Sequence, residues 1–516
     1  MSYRLANPVS RIGLYRWLAP LVAKFPQVYL GGLSVLAVMG YTLLFGAPLL
    51  ALASLQQITI RLLSLSDGVR AEDYMALGLW VVVGLYSGVL VWKLSRMKLP
   101  LPQGLMIKDE NFPALQSLLQ NLHDHFQVEP ITRVAITEHF ELRMRYTPRQ
   151  GLPLASTPTL CIGLPVLQCL SAKHFGCLLA GQMGLHAAPY SRWLYHLTRA
   201  QQLFEVYGHA FRDSPSLLIL PLRLLFSIYQ PVYRGAAVFA GQQSQLEADH
   251  YSLEIYSDSD LHDSIATATA CQKFLHQYYW PEVLRQLQHQ APQQVAPHLR
   301  MSEVMRRALA GSKALALLQE TFNTERDDFR PTVALQRRMA NIGYNKLSTL
   351  VPPSHNAAEE LLGSGAKKII DFMDKLWMNR HLADWKKQQD RRQQKQALLD
   401  KLAGLAQKRP LSTDELWKRA RLTEKLHGEA AAIPLYQGLL KSDAHHANGL
   451  FAYGSILLQR GEVTGVRMLE QAMQLKASLT PQACALLFKF YLKNNQKQQA
   501  MLYRNRGLSF SQQNAA

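Results

Sequence analysis

Two stretches of this chain carry no charge at all. No charged residue occurs between Lys24 and Arg61, and the apolar core of that run, residues 28–55, contains Gly31, Gly32, Gly40, Gly46 and Pro48. A second charge-free run covers residues 74–92, with Trp80 and Trp92 suited to interfacial depth. About 20 apolar residues cross a hydrocarbon layer as a helix, so each run predicts a transmembrane helix. The first is longer and further from the start than a signal-peptide core. Arg4, Arg11, Arg16 and Lys24 precede it, and Lys93, Arg96 and Lys98 follow the second run. The connecting loop sets Arg61 and Arg70 against Asp67, Glu72 and Asp73. Positive flanks stay in the cytoplasm, which places both termini and the main domain there and the loop outside.

Beyond residue 99 the pattern changes to that of an α+β unit reaching residue 345. Residues 112–126 read as an amphipathic helix, and residues 131–137 alternate like a strand. Residues 159–163 form a second short apolar strand, followed by Leu164-Pro165-Val166. Ser171 is placed to cap a helix running to about His186. Residues 217–233 are apolar but interrupted by Pro221, Arg223 and Pro231. That segment is too short to span a membrane and fits a role lying on the membrane or closing over the domain.

Residues 346–410 read as basic linking helices. Between Lys367 and Lys425 there are 16 Lys and Arg against 8 Asp and Glu. This is either a solvated linking helix or a basic face for anionic lipid or an acidic partner. From residue 411 to 510 a repeat emerges. Ser412-Thr413-Asp414-Glu415 is a capping box that opens a helix. Turn signals fall at His427-Gly428-Glu429, Arg460-Gly461-Glu462 and Lys493-Asn494-Asn495-Gln496, a spacing of 33 to 34 residues. The period and the small/large helical pattern resemble tetratricopeptide (TPR) repeats, which implies about three helical hairpins and a groove that binds peptides or protein segments.

The formal net charge of the 516-residue chain is +19. No zinc finger, RRM signature or long basic block accompanies it, so an anionic membrane surface accounts for the excess better than nucleic acid does. The cysteines, Cys161, Cys169, Cys177, Cys271 and Cys484, are odd in number and form no Cys-x-x-Cys pair. They read as buried reduced thiols in a cytosolic domain.

The run Thr159-Leu160-Cys161-Ile162-Gly163-Leu164-Pro165, then Leu170-Ser171, then Leu178-Leu179-Ala180, and further on Ser244-Gln245-Leu246-Glu247-Ala248-Asp249, is similar to a membrane zinc endopeptidase family. This is the family of bacterial HtpX and the CAAX prenyl endopeptidases, and the resemblance covers roughly residues 75–345. It implies a zincin-like domain in which two histidines at i and i+4 bind zinc and the glutamate between them is the general base. A second helix supplies the third ligand. In this chain those positions hold Gly181, Leu185, Gln182 and Gln245. None can serve: glycine and leucine offer no donor atom, and glutamine has no useful basicity. Asp249 matches the aspartate that orients a ligand histidine. The family's His-Pro pair falls on Thr332 and Val333, and its arginine on Arg338. His174, His186 and His250 would be the candidates for a relocated zinc site, although they share no i, i+4 register.

The expected architecture is therefore mostly helical α+β: a transmembrane hairpin, a zincin-like domain with a small sheet, and a C-terminal α-solenoid. The function implied is that of a membrane-anchored pseudopeptidase, a peptide- or protein-binding scaffold at a bacterial inner membrane, acting in membrane protein quality control by family analogy. No catalytic residue, metal or other cofactor is expected. Two alternatives stay open: an active zinc metalloendopeptidase with displaced ligands, and a protein that binds anionic lipid surfaces.

Overall fold

The computed structural model describes residues 18, 20–22, 24–64, 71–97, 99, 104–128, 131, 133–148, 156–187, 189–287, 290–324, 333–347 and 349–513. The chain divides into two compact units, Met1–Arg380 and His381–Ala516.

The first unit opens with two long apolar helices, α1 (Pro26–Ser64) and α2 (Ala71–Ser95). Both are long and apolar enough to cross a membrane. At about 1.5 Å per residue they extend roughly 58 and 37 Å, against about 30 Å of hydrocarbon. They pack together through Gly84, whose missing Cβ would lie 2.9 Å from Ser54 Oγ and 3.7 Å from Ile58. The second half of α1 is thus the half that α2 accompanies.

Next comes a small mixed sheet. Strands β1 (Leu105–Ile107), β2 (Arg133–Thr137), β3 (Leu142–Pro148) and β4 (Ser156–Gly163) lie in the order β1-β2-β4-β3. The β2–β4 pair is parallel and the other two are antiparallel. Helix α3 (Pro113–Phe126) buries Leu115, Leu119, Leu122 and Phe126, the i, i+4, i+7 stripe its sequence predicts. Leu160, Cys161 and Ile162 on β4 are fully buried, as a strand covered on both faces requires. β4 feeds directly into α4 (Leu164–Cys169) and then α5 (Ala172–Gly184). Strands β1 and β3 are additions to the sequence expectation. β3 does alternate, with Leu142, Met144 and Tyr146 against Arg143 and Arg145.

The remaining helices of this unit are α6 (Pro189–Asp213), α7 (Leu220–Ala236), α8 (Val238–Ser252), α9 (Asp258–Phe274), α10 (Trp280–Gln286), α11 (Pro292–Val295), α12 (Pro297–Ala310), α13 (Ser312–Thr324), α14 (Leu335–Asn341) and α15 (Ala357–Leu362). Helix α16 (Gly365–Lys408) carries the chain across the unit boundary.

Along the first apolar helix, expected from the charge pattern to span residues 28–55, Tyr29, Leu30, Leu33 and Ala37 are buried against protein while Val28, Val35, Val38 and Met39 stay exposed. Tyr29 Oη donates to the Ala236 carbonyl (2.6 Å) and Tyr229 Oη to the Leu36 carbonyl (2.6 Å). One face of the first half of α1 thus joins a core shared with α6 and α7. One sequence expectation needs correction: the sequence pattern ends the middle domain at residue 345. Ala357, Leu361, Ile369 and Met373 instead belong to the same core as the sheet and α5. Ile369, Met373 and Trp377 form an apolar stripe that the basic surroundings mask.

The second unit contains the remainder of α16 and three antiparallel helical hairpins. These are α17 (Thr413–His427) with α18 (Glu429–Ser442), α19 (Ala447–Gln459) with α20 (Thr464–Leu475), and α21 (Thr480–Lys493) with α22 (Lys497–Gln513). Each hairpin turns on a residue with positive φ: Gly428 (89°), Gly461 (85°) and Asn495 (58°). These positions are 33 and 34 residues apart, and glycine or asparagine holds such a conformation at little cost. The capping box is present, with Glu415 N donating to Ser412 Oγ (3.3 Å) and Ser412 N to Glu415 Oε2 (2.9 Å).

Candidate functional site

The segments singled out by the motif lie on two helices that pack against each other. Helix α5 begins where expected: Ser171 Oγ accepts from His174 N at 3.2 Å. It ends at Gly184, two residues before the predicted His186. Its neighbour is α8, which carries Gln245 and Asp249.

Contact between them is set by glycine. A Cβ at Gly181 would sit 2.3 Å from the Ala248 carbonyl oxygen and 2.6 Å from Ser252 Oγ. One at Gly184 would sit 2.3 Å from Tyr251 Cβ. No side chain fits at 181 unless the helices move apart. Ser252 Oγ bridges the pair, donating to the Cys177 carbonyl at 2.8 Å. The sequence reading missed Ser252. Its signal is the series Ala240, Ser244, Ala248, Ser252, small residues every fourth position on α8 and all buried. Such a row lets a helix approach within backbone contact.

The other sites follow from this junction. Gln182 is half-buried and Leu185 is buried at the helix end. Gln245 does not point at a shared polar centre; its Oε1 accepts the Val333 backbone N–H at 2.9 Å. Asp249, buried, receives both arms of the Arg338 guanidinium: Nε to Oδ2 at 2.9 Å and Nη2 to Oδ1 at 2.5 Å. This planar, two-point geometry suits arginine and not lysine. Val333 and Arg338 thus both meet α8, whereas Thr332 lies outside the described residues.

The three candidate histidines have separate surroundings. His250 is exposed, with Nε2 3.3 Å from Asn341 Nδ2. His186 stacks edge-on to Tyr195, ring centroids 4.1 Å apart. Burial, then the charges of Arg199 and His196, push its pKa down to about 4, so it is neutral at physiological pH. His174 is also held below the usual histidine range, chiefly by burial, against the opposing pull of Asp263 and Asp260. Among the described residues no group of three His, Cys, Asp or Glu side chains converges to hold a metal ion. The five cysteines are buried and none is in a disulfide. Burial pushes the Cys161 and Cys177 thiols up, to about 11 and about 12. Such thiols are poor nucleophiles at neutral pH.

No protein-family model, curated protein or solved structure matches the chain.

Proposed function

We propose that this chain is a membrane-anchored scaffold whose middle domain resembles a zinc endopeptidase but binds protein segments without cleaving them. The observation that carries the reading is the closure of α5 on α8. At the position where the endopeptidase pattern has a first zinc ligand, Gly181 abuts the Ala248 carbonyl. A catalytic zinc needs three protein ligands and an open position, and Gly181, Leu185 and Gln245 offer none of the usual donors. Gln182, in the place of the general base, has no titratable group. The Asp249–Arg338 pair supports the same reading, because it joins two residues that match the family pattern and whose charge here serves structure.

Within this proposal the domain is zincin-like, and the three hairpins of the second unit form a TPR-like module. The repeated positive-φ turns at 428, 461 and 495 support that kinship. The module would supply a second peptide-binding surface. The two apolar helices would anchor the chain in a bilayer, both termini cytoplasmic, as the positive flanks favour. A role in membrane protein quality control fits such a scaffold.

The test uses the purified full chain in mild detergent with fluorescently labelled unfolded casein. Binding without cleavage, unchanged by added zinc or by chelator, is the expected result. Chelator-sensitive cleavage would favour the displaced-ligand endopeptidase. Absence of any binding would remove the scaffold reading.

A further inference from the structure

Helix α7 presents an outer face made of hydrocarbon. Leu217 in the single turn before it is 82% exposed, and Leu224 and Ile228 on the helix are 58% and 70% exposed. Leu220, Leu225 and Val232 extend the same surface. The spacing of 217, 220, 224, 228 and 232 is that of one helical stripe. A contiguous apolar surface of this kind marks an interface.

Ser227 apart, the polar side chains Arg223 and Gln230 are turned away from it. Arg223 folds back, donating through Nε to the Phe211 carbonyl at 3.1 Å and through its guanidinium also to the Ser214 carbonyl. Ser227 Oγ, which does face outward, satisfies itself on the Leu224 carbonyl at 2.7 Å. Gln230 is buried. The inner face of the helix, Leu222, Phe226, Tyr229 and Tyr233, packs in the core shared with α1 and α6. A helix with its backbone bonds internal and its exposed polar atoms self-satisfied is compatible with a medium that offers no hydrogen bonds.

Its position relative to the apolar helices identifies the medium. The turn before α7 is fastened to α2: Lys93 Nζ donates to Ser216 Oγ, and Tyr86 Oη to the Leu218 carbonyl at 3.0 Å. Tyr86 lies seven residues inside Lys93, about 10 Å along the helix. The far end of α7 meets the start of α1, where Tyr29 binds the Ala236 carbonyl. With 17 residues the helix is about 25 Å long, short of the roughly 30 Å needed to cross. From this we infer that α7 and the turn at Leu217–Ile219 form a third, non-crossing membrane element. Its exposed stripe sits among the acyl chains beside the first half of α1, with the turn at Leu217–Ile219 held against α2. The inference rests on the membrane-anchored reading and adds to it that the folded domain itself enters the bilayer.

The experiment places an environment-sensitive fluorophore (NBD) on single introduced cysteines in the full chain, reconstituted in phosphatidylcholine–phosphatidylglycerol vesicles. The sites are Ile228→Cys and, as a second position should the first impair folding, Leu217→Cys. Val82→Cys on the exposed flank of α2 reports the bilayer, and Lys441→Cys on the second unit reports water. Acyl-chain nitroxide lipids should quench positions 228 and 217 as strongly as 82 and several-fold more than 441, with aqueous iodide giving the reverse order. Iodide quenching at 228 and 217 equal to that at 441, with 82 lipid-quenched, overturns the inference and leaves the anchored reading standing. Quenching of 228 and 217 by neither agent means that a protein surface covers α7, which also overturns it. If 82 itself escapes the lipid quencher, the membrane reading falls and this inference with it.

Discussion

Replacing Gly181 with alanine tests the α5–α8 contact with one methyl group. In an open helix position alanine is favoured over glycine by about 1 kcal/mol. Here the added Cβ would lie 2.3 Å from the Ala248 carbonyl oxygen and 2.6 Å from Ser252 Oγ. A serine rotamer can turn, but a helix carbonyl cannot. The helices must separate by roughly 1 Å to restore van der Waals distance. Overpacking of this kind costs about 1–3 kcal/mol. Turning Ser252 away from the Cys177 carbonyl removes a buried hydrogen bond and adds about 1–3 kcal/mol. Set against the helix-propensity gain, the net loss should be about 1–5 kcal/mol. Gly438 is the internal comparison: a Cβ there would meet nothing within 4 Å, and Gly438→Ala should instead gain up to about 1 kcal/mol. The assay is hydrogen exchange by mass spectrometry on the full chain in detergent, resolved to peptides of α5 and α8, with denaturant unfolding of the same samples. Faster exchange in those two helices for Gly181→Ala is expected. Unchanged or slower exchange, together with undiminished stability, would refute the close-packing argument.

Other substitutions probe the rest of the account. Arg338→Ala leaves the buried Asp249 carboxylate without its guanidinium, and breaking such a pair should cost about 3–5 kcal/mol in denaturant unfolding; adding Asp249→Ala in a double-mutant cycle should recover part of that loss. Glu141 is pushed up by burial but pulled further down by Arg143, Arg145 and its bond from Thr137, so its carboxyl titrates below the usual range. Its contribution to stability is full above the ordinary value of 4.5 and fades as pH falls through the lowered folded value. Glu141→Gln should accordingly flatten the acid limb of a stability–pH curve. Ser412→Ala removes the cap of α17 and should destabilise the second unit by about 1 kcal/mol, read by thermal unfolding.

The parts of this architecture written in local patterns are legible in the sequence. Charge-free runs mark α1 and α2, Ser171 marks the start of α5, and Ser412 with Glu415 marks that of α17. The period between turns locates the three hairpins. Features that depend on tertiary context are not written locally. The first half of α1 is as apolar as the second, and partners such as Phe204 and Tyr229 beside Gly40 give it one buried face. Ile369, Met373 and Trp377 are hard to pick out because exposed Lys367, Lys368 and Lys375 lie among them in the sequence. At the candidate site, motif order picks out the chain positions 181, 245, 249, 333 and 338, and the structure gathers them around α8. What Gly181 and Gln245 touch is not readable in advance. Glycine carries no pattern of its own, and the partner of Gln245 is a backbone N–H almost ninety residues away.

Metal content of the purified full chain, measured by mass spectrometry after equilibration with zinc and removal of loosely held ions, tests the central claim most directly. The account predicts far less than one zinc per chain, unchanged when Gln245 or His186 is replaced by alanine. One tightly held zinc per chain, lost on substituting a residue at the α5–α8 junction, would contradict it.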